Sequence, residues 1–250
     1  MKRAFLLAAL AAAYSLFNSA PVRAETFDRE LPTQGASTLR VNISGSVRIV
    51  PQSGLRTIQL HAINYGPKTP PLNVTTAKTG GRLTITVTGP SKSMLPFVGA
   101  SGYEMQVSVP ENMKLDVREF SGNVHVERVT APMQVYDAEG SIVVDEAGSA
   151  LTAESDAGDV TVTSARSMVE LTCAAGNATA TLAPNWNGNM VRMESSKGDL
   201  TLNVPPSFRA NFDVTTANGK KTNPLANTPH APLVFMLAEQ GNVTVNVAPK

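Results

Sequence analysis

Glu119 and Asp137 are the residues of this 250-residue chain whose type and spacing first suggest chemistry. Each stands three positions before a glycine, Gly122 or Gly140, in similar phrases 18 residues apart. Strands carrying those phrases side by side would bring the two carboxyls to about 5 Å, the separation used by a retaining glycosidase. Asp156 and Asp159 flank the next glycine, Gly158, and carboxylates gathered at one corner also suit a calcium ion. Against both ideas, the position three before the later glycines holds Ser155, Cys173, Ser195, Thr216 and Ala238. A column that accepts such varied residues reads as a solvated corner. Glu119, Asp137, Asp156 and Asp159 are therefore expected to form an acidic stripe, with no catalytic residue, no metal and no cofactor.

The other reactive residues point nowhere sharper. His61, His125 and His230 are far apart in sequence and lack the HxH or HxxxH spacing of a metal site. They read as solvated surface histidines. Cys173 is the single cysteine, so an intramolecular disulfide is impossible, and its place in the repeat suits a small buried hydrophobe. No nucleophile elbow, phosphate loop, CxxC pair or dinucleotide fingerprint occurs.

The elements that must position these residues are repeats. The phrase is a small or polar residue, Gly, a polar residue, then alternating apolar residues. It occurs at Ser121-Gly122-Asn123-Val124, Glu139-Gly140-Ser141-Ile142, Ala157-Gly158-Asp159-Val160, Ala175-Gly176-Asn177-Ala178, Lys197-Gly198-Asp199-Leu200 and Gln240-Gly241-Asn242-Val243, with a degenerate copy at Asn218-Gly219-Lys220. The glycines are spaced 18, 18, 18, 22, 21 and 22 residues apart. Seven and five positions before each glycine the residues are apolar, from Leu115/Val117 to Val234/Met236. Two and four after it they are apolar again, as in Val124/Val126 and Val160/Val162, except at Lys221 and Asn223. Alternation of period two means strands with one buried face, and the glycine between them suits a corner.

One such unit cannot bury its apolar face alone, but stacked copies can. The spacing predicts an all-β fold, a single-stranded right-handed β-helix or β-solenoid with coils of 18–22 residues, in which Leu115, Met133, Leu151 and Val169 form one inward ladder. An antiparallel β-sandwich is the alternative. Residues 25–110, with Gly/Pro-rich loops at Tyr65–Pro71 and Gly89–Gly102, are read as less regular N-terminal coils and cap, continuous with the regular repeats of 111–250. At Lys220–Pro232 polar residues and three prolines replace a strand. The chain is expected to leave the array there as a loop and rejoin near Leu233, with Lys220, Lys221, Asn223, Asn227 and His230 as candidate binding residues.

The chain's start has the form of an export signal. Lys2 and Arg3 precede 14 apolar residues, Ala4–Phe17, and Val22-Arg23-Ala24 offers a cleavage site before Glu25. Fourteen residues fall short of the roughly 20 of a membrane span, and no cysteine follows the site for a lipid anchor. Loss of Lys2, Arg3 and Arg23 leaves 18 Lys+Arg against 20 Asp+Glu, a net charge of −2. That balance argues against nucleic acid or an anionic membrane as partner.

The phrases at 121–124, 157–160 and 197–200, with the proline-marked run Leu202–Val214, resemble the "SGDV" repeats of a bacterial β-strand-repeat family that carries an adhesin label. The resemblance covers most of 39–245 and implies a fold, not a chemistry. Together these readings predict a non-catalytic exported protein, periplasmic or at the cell surface, acting as an adhesin-like or scaffold protein on an envelope protein or glycan. A carbohydrate-active enzyme using Glu119 and Asp137, and an envelope signalling accessory, are the alternatives.

Overall fold

A computed structural model describes residues 25–65, 72–88 and 102–249. The export signal at 1–24 and most of the loops predicted at 65–71 and 89–102 lie outside the described residues. Within them the fold is all-β, without a helix. The N-terminal strands are β1 (Glu25–Pro32), β2 (Thr38–Ile43), β3 (Ser46–Gln52), β4 (Thr57–Tyr65), β5 (Asn73–Thr79), β6 (Arg82–Thr88) and β7 (Gly102–Pro110). The regular part continues with β8 (Lys114–Glu119), β9 (Val124–Glu127), β10 (Met133–Asp137), β11 (Ile142–Asp145), β12 (Leu151–Ala157), β13 (Val160–Ala165), β14 (Val169–Ala175), β15 (Ala178–Leu182), β16 (Met190–Lys197) and β17 (Leu200–Val204). It closes with β18 (Asn211–Asn218), β19 (Lys221–Thr222), β20 (Leu233–Gln240) and β21 (Val243–Val247).

These strands make two sheets over one apolar core. One holds 11 strands in the order β1-β4-β7-β3-β9-β11-β13-β15-β17-β21-β19, the other 10 in the order β18-β20-β16-β14-β12-β10-β8-β2-β6-β5. From β8 onward each unit contributes one strand to each sheet, with the glycine between them. Pairing is antiparallel only at β1–β4, β4–β7 and β5–β6. The described strands otherwise pair in parallel, which departs from the antiparallel alternative.

Register follows the sequence columns. Leu115 pairs with Met133, Met133 with Leu151 and Leu151 with Val169. All are buried, as are Val124, Ile142, Val160 and Ala178 facing them from the other sheet. The column seven residues after each early glycine (Val129, Ala147, Ala165, Ala183) is buried as well, at the second corner. Where the spacing widens to 21–22 residues, the extra residues fall between one unit and the next, and they bring in aromatics. Trp186 lies edge-on to Phe208 at 5.4 Å, and Phe208 to Phe212 at 6.2 Å.

The glycine corner sets the geometry. Gly158, Gly176, Gly198 and Gly241 have φ of +147° to +151°. A Cβ on Gly158 would fall 2.0 Å from the Gly140 carbonyl oxygen, one on Gly176 2.1 Å from that of Gly158, and one on Gly198 1.9 Å from that of Gly176. Backbone stacks directly on backbone here, and no side chain fits. The polar residue after the glycine ties the same corner together. The Asn123 Oδ1 accepts the Ser141 N–H at 3.0 Å, Asp159 Oδ1 that of Asn177 at 2.7 Å, Asn177 Oδ1 that of Asp199 at 2.9 Å, and Asp199 Oδ1 that of Asn242 at 2.7 Å.

Stacking is not serial at the ends. The unit β20–β21, last in sequence, sits between β16–β17 and β18–β19. Likewise β2–β3 pairs with β8–β9, while β6 and β7 lie outside it. The physical reason at the C-terminal end is Lys221. It stands at a column position where Val243 and Val245 are buried, and burying an unpaired ammonium there would be costly. Only an end unit, solvated on one side, accommodates it.

Two stability outcomes follow. Replacing Leu171, fully buried, by Ala should cost about 2–5 kcal/mol in chemical denaturation. Gly158→Val should lower the melting temperature far more than Asp159→Ala, because the first displaces backbone and the second loses exposed hydrogen bonds; equal small effects would place the tight corner elsewhere.

Candidate functional site

Side-chain parity decides where the four acidic candidates go. Positions seven, five and three before a glycine share one face of a strand, so Glu119 follows Leu115 and Val117 into the core. Glu119 and Asp137 are both 0% exposed and lie side by side in register. This corrects the expectation of a solvated stripe. A substrate has no access to a pair so enclosed, and the glycosidase geometry has no cleft around it. Asp156 points outward, where the Tyr136 hydroxyl donates to its Oδ2 at 2.6 Å, and Asp159 belongs to the corner ladder. The four are thus divided between core, outer face and corner, and among the described residues no group of three or more metal-ligating side chains could hold a metal ion.

Glu119 Oε1 accepts the N–H of Gly45 at 2.8 Å and of Ser121 at 2.7 Å. Asp137 Oδ1 accepts the N–H of Glu139 at 3.1 Å. Burial, then the adjoining Glu119 carboxyl, pushes Asp137 up to about 7. Cys173, next but one in the same column, is buried as expected, and desolvation pushes its thiol up to about 11.

The candidate loop divides in a similar way. Lys220, Lys221 and His230 are exposed, and His230 has a φ of +61°. Asn223 turns inward on its own segment, accepting the Leu225 N–H at 3.0 Å. Asn227 presents its amide to the edge strand β18: its Oδ1 accepts the Phe212 N–H at 2.9 Å and its Nδ2 donates to the Phe212 carbonyl at 3.3 Å. The Thr228 N–H donates to the Ala210 carbonyl and the Asn211 N–H to that of Pro232, both at 2.9 Å. Residues 223–232 therefore cover a sheet edge that would otherwise offer free pairing groups.

A surface the sequence does not reveal lies on the 11-stranded sheet. His61, Gln106, Arg48 and His125 stand opposite one another across β4, β7, β3 and β9. They line a groove of about 400 Å³ together with Ser46, Asn123 and Glu104. Each cation there has a carboxylate partner: His61 Nδ1 lies 2.6 Å from Asp28, Arg48 2.5 Å from Glu127, and His125 Nε2 2.8 Å from Asp145. The hydrogen bond from His125, then that from Thr163, holds the Asp145 carboxyl below the usual range. The two histidines are 64 residues apart in sequence, and only the strand order β4-β7-β3-β9 joins them. The outward row continues along the sheet as Val143, Thr161, Thr179, Thr201 and Thr244.

No protein-family model and no curated protein matches the chain. Among solved structures it is similar to one provisionally described as a cell adhesion protein from Clostridium sporogenes, at 12% identity and a TM-score of 0.47, over 90% of this chain and 100% of that one. It is also similar to one provisionally described as an adhesin from Bacteroides fragilis, at 15% identity and 0.46, over 91% and 99%. A third, provisionally described as a lipid binding protein from Parabacteroides distasonis, gives 10% identity and 0.37, over 92% and 98%. At these values the likeness carries neither a fold family nor a function to this chain.

Asn227→Ala should destabilise the protein by about 1 kcal/mol, since it strips both hydrogen bonds from the Phe212 backbone. Lys221→Ala, at an exposed position, should leave the denaturation midpoint unchanged. Equal effects would mean that the loop does not brace β18.

Proposed function

We propose that this chain is a non-catalytic, exported binding scaffold of the cell envelope, and that its ligand is an envelope glycan. In this reading the two sheets are opposite walls of a single-stranded right-handed β-solenoid with coils of 18–22 residues. Residues 1–24 are a cleaved signal, 25–110 form the N-terminal coils and cap, and 111–250 form the regular array. The observation that carries the binding role is the outward row on the 11-stranded sheet. Thr161, Thr179, Thr201 and Thr244 stand in register, and among the described residues their hydroxyls make no hydrogen bond. They lead from the groove of His61, Gln106, Arg48 and His125 along a face braced by parallel pairing. Regularly spaced, unspent donors and acceptors suit a repeating polar polymer better than a compact metabolite. The buried state of Glu119 and Asp137 supports binding over hydrolysis.

A second surface has its own support: Lys220, Lys221 and His230 are exposed at the end of the array, where an envelope protein could dock. Co-sedimentation of the mature protein with purified cell-wall glycan separates the two. Arg48→Ala with His125→Ala should weaken binding severalfold, while Lys221→Ala with His230→Ala should not. The reverse pattern would move the site to the array's end, and no binding by either the parent or the variants would remove the glycan. N-terminal sequencing of the protein recovered from the envelope should begin at Glu25; a chain beginning at Met1 would contradict export with cleavage.

A further inference from the structure

Glu119 Oε2 and Asp137 Oδ2 are the buried side-chain oxygens that meet no donor among the described residues. Two ionised carboxylates in contact, both 0% exposed, would repel each other with little water to screen them. No cation compensates them, for neither takes part in an ion pair of the described residues. Their own column shows what the site lacks. In later units the same position holds a hydroxyl that donates to a stacked glycine carbonyl: Ser155 to Gly140 at 3.2 Å, Ser195 to Gly176 at 3.2 Å and Thr216 to Gly241 at 2.7 Å. The column is built around a donor, and a carboxyl is a donor only when protonated.

We infer that Glu119 and Asp137 share one proton between Oε2 and Oδ2, and that this proton fastens the unit β2–β3 to the rest of the array, so that the join loosens as the medium turns alkaline. The sharing is unequal. Glu119 receives two backbone N–H groups and is the anion; Asp137 receives one and is the acid. One of Glu119's donors, Gly45, is the corner of the unit β2–β3. Once Asp137 ionises, the repulsion is relieved most simply if Glu119 turns out to water, which abandons the Gly45 and Ser121 N–H groups together.

The surroundings contain no other group that could produce this behaviour. From β2 the neighbour in register is Ile43, and from β12 it is Ser155. From the facing sheet the inward residues after the two corners are Val124 and Ile142. Arg118 and Asp116 lie on the outer face of β8 and pair with each other, with Arg40 also on Asp116. Tyr136 is engaged with Asp156 outside, and Glu139 supplies only its backbone N–H. The raised value for Asp137 agrees with the geometry. With a folded pKa above the unfolded one, the folded chain binds the extra proton. Stability from this pair is then full below the ordinary aspartate range and is lost as pH rises through about 7.

The test is the denaturation midpoint of the mature protein from about pH 5 to about pH 9, beside that of Asp137→Asn. Asparagine keeps a donor toward Glu119 and does not titrate. The difference between the two proteins should be near zero at the acid end, and the parent should fall below the variant through about pH 7. Taking the difference cancels Asp145, whose lowered value acts with the opposite sign. Parallel curves would overturn the inference. Should the variant fail to fold, the parent alone suffices. Its infrared spectrum should show a buried protonated carboxyl at the acid end that disappears on alkalinisation, and its absence throughout would refute the shared proton. Calcium chloride added at the alkaline end is the third arm. If it raises the parent's midpoint and not the variant's, the pair holds a cation rather than a proton and the inference fails.

Discussion

The structure depends on one close approach: the carbonyl oxygen of each corner glycine occupies the place where the next unit's glycine would carry a Cβ. Nothing bulkier than hydrogen fits, so each unit's corner is held in register with its neighbour's, and the strands on either side inherit that register. The adjacent columns serve the same corner. A hydroxyl three residues earlier caps the glycine carbonyl, and the Asn or Asp one residue later takes the next unit's N–H. Length variation is excluded from this corner and goes to the other one, where the extra residues of the longer units form loops.

The ends obey a different constraint. A stack of strands leaves free edges, and an edge must be covered or made unattractive. At the C-terminal end the unit with the polar second strand moves outward past its successor, and residues 223–232 fold back so that Asn227 completes the backbone bonding of β18. At the N-terminal end the antiparallel strands β4 and β1 extend one sheet, and β5 extends the other. The polarity of Lys221 and Asn223, which looks like a broken repeat, is what an outermost unit tolerates.

Much of the regular part was legible because its signals are local. Period-two alternation and the recurring glycine predicted inward ladders such as Leu115–Met133–Leu151–Val169, and parallel register reproduces them. The order of units at the ends was not legible, since it depends on comparing the burial cost of Lys221 with that of Val243, two residues in different repeats. The groove was hidden for a similar reason: His61 and His125 meet only through β7 and β3. Glu119 and Asp137 are a different failure. Their parity pointed inward, in line with Leu115 and Val117, but their charge suggested solvent. Parity was the better guide, because a carboxyl can be buried when it is supplied with donors and can keep a proton.

The account's central claim is that stacked glycine corners hold the units together in the order 45, 122, 140, 158, 176, 198, 241, 219. Native-state amide hydrogen exchange, read residue by residue by NMR, tests it most directly. The N–H groups of Gly158, Gly176 and Gly198 donate to the carbonyls of Ala175, Lys197 and Gln240 in the neighbouring units. They should fall in the slowest-exchanging class, and Val243 and Val245 should exchange more slowly than Lys221 and Thr222 despite lying nearer the chain's end. Glycine amides that exchange as fast as those of the 223–232 loop, or a β19 better protected than β21, would contradict it.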